Sequence, residues 1–341
     1  MAQRETLHAS TILDTTTAIP KKEEKRPVTK RAFETFLNSD RGHRVMHGFI
    51  DRVFEHGPRR LFDWEGLEHL DTLKEHIERG DKVLVVPNHT SHADAAPVTK
   101  LLTTIRDLAP DAIDGIIYTM AGSMKGEQGA LIASMFNYGV EPYFNKVGIT
   151  PDYVVSDNDV KERGMTKPEN NGQLTKESLM NPRLISVAHF EGKTKGGKIN
   201  SETGQYFGLQ PFDRGAQATL RSLRMSGLPT VILPVMVEGA NTILVPESKS
   251  FTPASMETLI GMLMYGEGTK LGAVLDAVSR LWMGYEAKYV KPGLVKIGEP
   301  KMIQDISPNG RGTSEEVERL LAEIASPAYR GNHGRELLAG K

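Results

Sequence analysis

The 341-residue chain contains no cysteine. That removes disulfide cross-links, thiolate zinc sites and a cysteine nucleophile together, without fixing a compartment. No apolar run approaches the length needed to span a bilayer. Net charge is nearly absent as well: 42 basic against 43 acidic side chains leave −1, so whole-molecule electrostatics do not point to nucleic acid as a partner. A Gly-x-Ser-x-Gly nucleophile elbow is missing, since "GSMKG" at 122–126 has the wrong spacing. The first thirty residues lack the apolar core of a secretory signal and carry acidic residues that a transit peptide avoids. These absences lead us to expect a cytoplasmic protein, peripheral at most on the inner face of a membrane. The segment "KKEEKR" is either a solvated tail or a basic tether to anionic lipid.

What is present is an ordinary globular balance, 39% hydrophobic and 25% charged. After a flexible tail (1–29), a helical region is expected over 30–80. In it Val45, Met46, Phe49, Ile50, Val53 and Phe54 form one apolar stripe, and a second helix stops at Gly80. "KVLVVP", "GIIYTMAG", "RLISVAHFEG" and "TVILPVMVEG" are too apolar to alternate, as strands buried on both faces of a parallel sheet are. Helices are expected from Ala95 to Leu108, over "ALIASMFNYG" closed by Gly139, around "GAQATLRSLRMSG" and along a stripe from Leu271 to Tyr285. Residues 145–176 are polar and without periodicity, and read as an extended loop or insertion. "LVKIGEPKMI" is a late strand and "TSEEVERLLAEIA" a capped surface helix. Alternating strands and helices predict an α/β fold, a mostly parallel central sheet flanked by helices. The expected α/β domain covers 81–304, followed by a C-terminal helix and tail over 305–341.

The chemistry concentrates in "PNHTSHAD", at the end of the first buried strand. Three readings compete. His89, His92 and Asp94, with His189, could ligate a metal. "HTSHAD" is similar to the His-x-His-x-Asp-His signature of metallo-β-lactamase-like hydrolases, but two residues separate the histidines and Ala95 replaces the last one. Alternatively, Asn88, Thr90 or Ser91 caps the next helix and nothing more. In the third reading, four residues between His89 and Asp94 let a turn entering a helix bring carboxylate to imidazole. His89 then serves as a general base and Asp94 orients it.

These residues carry a resemblance. "PNHTSHAD" resembles the Asn-His-x4-Asp block of the glycerolipid acyltransferases, the family of glycerol-3-phosphate and lysophosphatidic acid acyltransferases, at Asn88, His89 and Asp94. "WEGLEHL" is similar to that family's lead-in. "MAGSMKGE" resembles the segment where the family places a lysine, at Lys125. "GVEPYFNK" resembles the second block at Gly139, with Lys146 in place of arginine. "HFEGKTKGG" resembles the third at Glu191 and Gly192; its proline is absent, and Lys193 and Lys195 stand in a changed tail. "VILPVMVEGA", with Pro234, resembles the fourth, and "QPFDRGA" and "VKIGEP" follow in family order. The likeness spans about residues 64–300.

The resemblance implies an acyltransferase-like fold and direct transfer of a fatty acyl group from a thioester, acyl-CoA or acyl carrier protein, to a hydroxyl of a phosphate-bearing glycerolipid precursor. His89 would be the base and Asp94 its orienter, with Lys125 or backbone amides near Gly192 at the oxyanion. Glu191, Lys193 and Lys195 would hold the acceptor's polar head, with Lys146 and Arg214 as further candidates. It implies no metal, no resident cofactor and no nucleic acid, and reversible contact with a membrane surface. The alternatives are a degenerate scaffold that binds lipid or a partner without catalysis, and a metal-dependent hydrolase. "GKTKGGKI" also fits Gly-x4-Gly-Lys, but Ile199 stands where a P-loop needs Ser or Thr. Lys193, Lys195 and Lys198 are then either a phosphate-holding loop or a solvated basic turn.

Overall fold

The run Lys82–Pro87 (β2) is buried at every position, which a strand achieves only with a neighbour on each side and a layer on each face. The computed structural model describes residues 35–36, 38–89, 94–121, 136–155, 160–161, 164–167, 169, 171–187, 208–212, 214–239, 292–306 and 312–340. Helix α1 (Asp40–Arg60) leads to β1 (Phe62–Glu65), α2 (His69–Glu78), β2, α3 (Ala95–Leu108) and β3 (Gly115–Ala121). A π-helical turn (Phe136–Val140), α4 (Glu141–Lys146), β4 (Ile149–Val154), α5 (Gln173–Met180) and β5 (Leu184–Val187) follow. The chain continues with α6 (Arg214–Met225), β6 (Thr230–Glu238), β7 (Gly293–Ile297), β8 (Lys301–Met302), α7 (Ile303–Ile306), α8 (Thr313–Ile324) and α9 (Pro327–Leu338).

The sheet order is β1-β7-β6-β2-β5-β3-β4, with β8 also on β6. Strands β6, β2, β5, β3 and β4 run parallel, and β7 and β8 are antiparallel to β6. The expected α/β class with a mostly parallel sheet is what the described residues form. Side-chain alternation divides the core in two. Val83 and Val85 of β2 join α1, α2, α3 and α4 on one face. Leu84 and Val86 join α6 and α8 on the other. Among the described residues, no helix is long and apolar enough to cross a membrane.

Several expectations change. The stretch 145–176 is not a bare loop: it contains β4, paired with β3 over six residues, and the start of α5. Pro151 and Asp152 hide the strand, because proline is tolerated at a sheet edge and obscures the pattern there. Gly139 does not close a helix either, since the π-helical turn runs directly into α4. A Cβ on Gly139 would lie 2.5 Å from Cγ1 of Ile50; the glycine lets α1 approach. The expected boundary at 81 cuts through the sheet, because β1 pairs with β7. The boundary at 305 likewise separates nothing, since Val317, Leu321 and Ala322 of α8 lie in the second core. That helix starts at Thr313, after Gly312 in the left-handed region.

Pro234 shapes the sheet visibly. It sits inside β6, opposite Val86, and has no N–H to offer its other neighbour. The partner strand breaks at that point: β7 ends at Ile297 opposite Val235, and β8 resumes at Lys301 opposite Ile232. Gly298 bridges the gap, its N–H donating to the Pro234 carbonyl at 2.9 Å.

Candidate active site

Strand β2 delivers His89 to the carboxyl edge of the parallel strands. The connection from β2 leads to α3 on one face, whereas α6, reached after β5, lies on the other. Strands β2 and β5 are neighbours and the helices that follow them pack on opposite faces, the arrangement at which α/β sheets generally put ligand sites.

Asn88 anchors this end of β2. It is fully buried, and its amide grips both backbone groups of Val237 on β6: Nδ2 donates to the carbonyl at 2.9 Å and Oδ1 accepts the N–H at 2.6 Å. Its own N–H donates to Val235 O at 3.1 Å. A side chain has extended the sheet ladder by one rung, so the expectation that Asn88 caps α3 is replaced by this role. Asn88→Ala strands two buried backbone groups and is expected to cost about 2–6 kcal/mol, at about 1–3 per group, read as a fall in the denaturation midpoint.

The next residue carries the chemistry. His89 Nδ1 lies 3.2 Å from Asp94 Oδ2. The imidazole is 33% exposed and the carboxylate 1%. Asp94 occupies the N-cap position of α3 but makes no side-chain cap bond; its carboxylate turns to His89 instead, while the helix's positive end favours its charge. With Nδ1–H donating to that carboxylate, the tautomer is set and Nε2 becomes the basic atom. Sequence spacing anticipated this pairing.

Two tyrosines that sequence reasoning missed share the field of Asp94. Tyr118 of β3 is pushed far above its ordinary value by burial and then by the Asp94 charge. Tyr329 of α9 is pushed up to about 12, first by burial, then by Glu238 and Asp94, against the Gly239 hydrogen bond, which lowers it. The Gly239 N–H donates to the Tyr329 hydroxyl at 2.6 Å. Glu238 accepts the Ser326 N–H at 2.7 Å, and Lys296 donates to Ser326 Oγ at 2.8 Å. The C-terminal helix is thereby fastened to the end of β6, two strands from β5. No apolar stripe in "PAYRGNHGRELL" announces it.

The other expected site residues are scattered. Arg214 opens α6, which returns antiparallel to β6, so it stands at the carboxyl edge on the second face. Lys146 lies just before β4, at the opposite edge. It pairs with Asp51 at 3.3 Å and Glu55 at 3.0 Å, and the structure does not bring it to His89. Lys125, Glu191, Gly192, Lys193, Lys195 and Lys198 lie outside the described residues, as do Thr90, Ser91, His92, His189 and the stripe 271–285. Val187, the last described residue before Glu191, pairs with Val85 on β2. Among the described residues, no group of three or more His, Asp or Glu side chains stands ready for a metal. Comparison with protein-family models and with curated proteins returned no match for this chain.

Proposed function

We propose that this protein is an acyltransferase that moves a fatty acyl group from a thioester onto a hydroxyl of a phosphate-bearing glycerolipid precursor. The observation that carries the reading is the His89–Asp94 pair: a part-exposed imidazole at a strand's carboxyl end, with a buried carboxylate on its Nδ1. The block likeness from Trp64 to Pro300 supports the substrate class. In this reading the fold is acyltransferase-like, and the acceptor hydroxyl lies against His89 Nε2. As its oxygen attacks the thioester carbonyl, His89 takes the proton. The tetrahedral oxyanion collapses, the C–S bond breaks, and the departing thiolate takes the proton back from the imidazolium, whose charge Asp94 has stabilised. No acyl-enzyme forms. Preorganised donors at the oxyanion are supplied by Lys125 or by amides near Gly192.

The donor is acyl-CoA or acyl carrier protein, and the acceptor's polar head meets Glu191, Lys193 and Lys195, the lysines taking the phosphate. Arg214, at the same edge of the sheet, is a further candidate. Lys193→Ala and Lys195→Ala are each expected to raise the acceptor's KM about tenfold to a hundredfold, the worth of a charge-assisted contact of about 1.5–3 kcal/mol. The donor's KM should barely move. The reading is tested by presenting purified protein with both donor types and a panel of glycerol-phosphate and lysophospholipid acceptors. Ester formation only with phosphate-bearing acceptors supports it. Release of free fatty acid alone, dependent on an added metal, would replace it with hydrolysis.

A further inference from the structure

Helix α1 turns Met46, Ile50, Val53 and Phe54 to the core. Its other face carries Arg41, Arg44, Val45, Arg52, Glu55 and Arg59 at three- and four-residue spacing, a line about 27 Å long at 1.5 Å per residue. Two of the acids beside this line are already answered, because Lys146 lies on Asp51 and Glu55. Three of the arginines are not answered in this way: among the described residues, no carboxylate lies within ion-pair distance of Arg41, Arg44 or Arg59. Positive charge accumulates toward the helix's end, where His56 is held below its ordinary value by desolvation and then by Arg52 and Arg60. Apolar surface is interleaved with the charge. Val45 is 54% exposed, and Phe36, just before the helix, is exposed too.

We propose that this face of α1 docks the protein on an anionic membrane surface. A line of cations fits a plane of headgroups, and the interleaved, exposed Val45 fits the headgroup–acyl boundary, which rewards apolar and basic side chains together. A nucleic-acid backbone rewards only the charges, and leaves the exposed Val45 without a role. The helix also ends at the right place. Its last residues run into Leu61, whose carbonyl accepts the Gly293 N–H at 2.7 Å, and the following Leu294 pairs with Glu238 at the carboxyl end of β6. The C-terminal end of the arginine line therefore lies at the edge of the sheet that carries His89, only three strands away.

The docking surface is independent of acyl transfer, and its test uses no acyl donor, so the two readings fail separately. The full-length chain is sedimented with phosphatidylcholine vesicles, with and without phosphatidylglycerol, across a salt series. Binding only to the anionic vesicles, lost at high salt, is expected. Each arginine near the surface is worth about fivefold in partitioning, so R41Q/R44Q/R59Q should weaken binding about a hundredfold. Val45→Asp supplies a second variant, at an exposed position, should the triple change disturb folding; it too should weaken binding. Wild-type protein that stays in solution with anionic vesicles overturns the proposal. So does binding that both variants retain in full, or binding to a short DNA duplex with none to vesicles.

Discussion

Replacing His89 with alanine is expected to lower kcat for acyl transfer by about 10²–10⁴-fold, the usual contribution of a positioned general base, while the fold survives. The imidazole is one-third exposed and fills little of the core, but its removal takes a partner from the buried Asp94 carboxylate, a loss of about 1–3 kcal/mol that a domain of ordinary stability withstands. Asp94→Asn should cause a loss of similar order with a smaller change in KM. Its amide nitrogen can present a donor to Nδ1 where a carboxylate accepts, which favours the wrong tautomer and removes the charge that steadies the imidazolium. Turnover of the purified variants, alongside their thermal melts, checks both statements. Near-normal kcat in His89→Ala would leave the His89–Asp94 pair as a loop-packing feature.

The second large effect concerns Lys82, at the start of β2. Its side chain is completely buried. The ammonium nitrogen donates to the Leu184 carbonyl and, at 2.7 Å, to Ser186 Oγ, which donates onward to Ser178 Oγ at 3.0 Å. Every one of these partners is neutral. Burial accordingly lowers the lysine from 10.5 to about 7. Between those values the unfolded chain holds a proton that the folded chain has released, so protons favour unfolding. Stability should therefore rise as pH climbs from about 7 toward 10.5, by an amount on the order of 5 kcal/mol, and be flat with respect to this group below about 7. Above pH 10 the buried tyrosines reverse the trend. Tyr118, Tyr143, Tyr153 and Tyr329 are all raised by burial first; the unfolded chain ionises them earlier, which favours unfolding. A stability maximum between about pH 9 and 10 is expected in denaturant titrations. Lys82→Met should abolish the rise and leave the tyrosine fall. A wild-type profile that is flat from pH 7 to 10 would contradict the account of this lysine.

Lys82 also shows where sequence reading stops. "KVLVVP" identifies a buried strand because its apolar run needs cover on both faces, but nothing in it says that the leading lysine is inside. Strands with that run, β2, β3, β5 and β6, were all legible, and so was α3 to its end residues. Strand β4 was not, since Pro151 and Asp152 dilute its pattern; nor was β1, whose alternation of Phe62 and Trp64 with Asp63 and Glu65 spans only four residues. At the site, the pairing of His89 with Asp94 followed from their short separation across a turn that enters a helix. The grip of Asn88 on Val237 did not, because the partners are 149 residues apart, and long-range pairing leaves no local signature. Tyr329 was invisible for the same reason: its helix, kinked at Gly331, is held by contacts at its N-terminus rather than by an apolar stripe.

The central claim, direct acyl transfer with His89 as base, is tested most directly by mixing the protein with an acyl-labelled thioester and a glycerol-phosphate acceptor. Thiol release and labelled ester are followed in the same reaction, for wild type and His89→Ala. One ester formed per thiol released, no label retained on the protein, and both signals lost in His89→Ala is the predicted result. Thiol release at equal rates in the two proteins, or label trapped on the chain before acceptor is added, would contradict it.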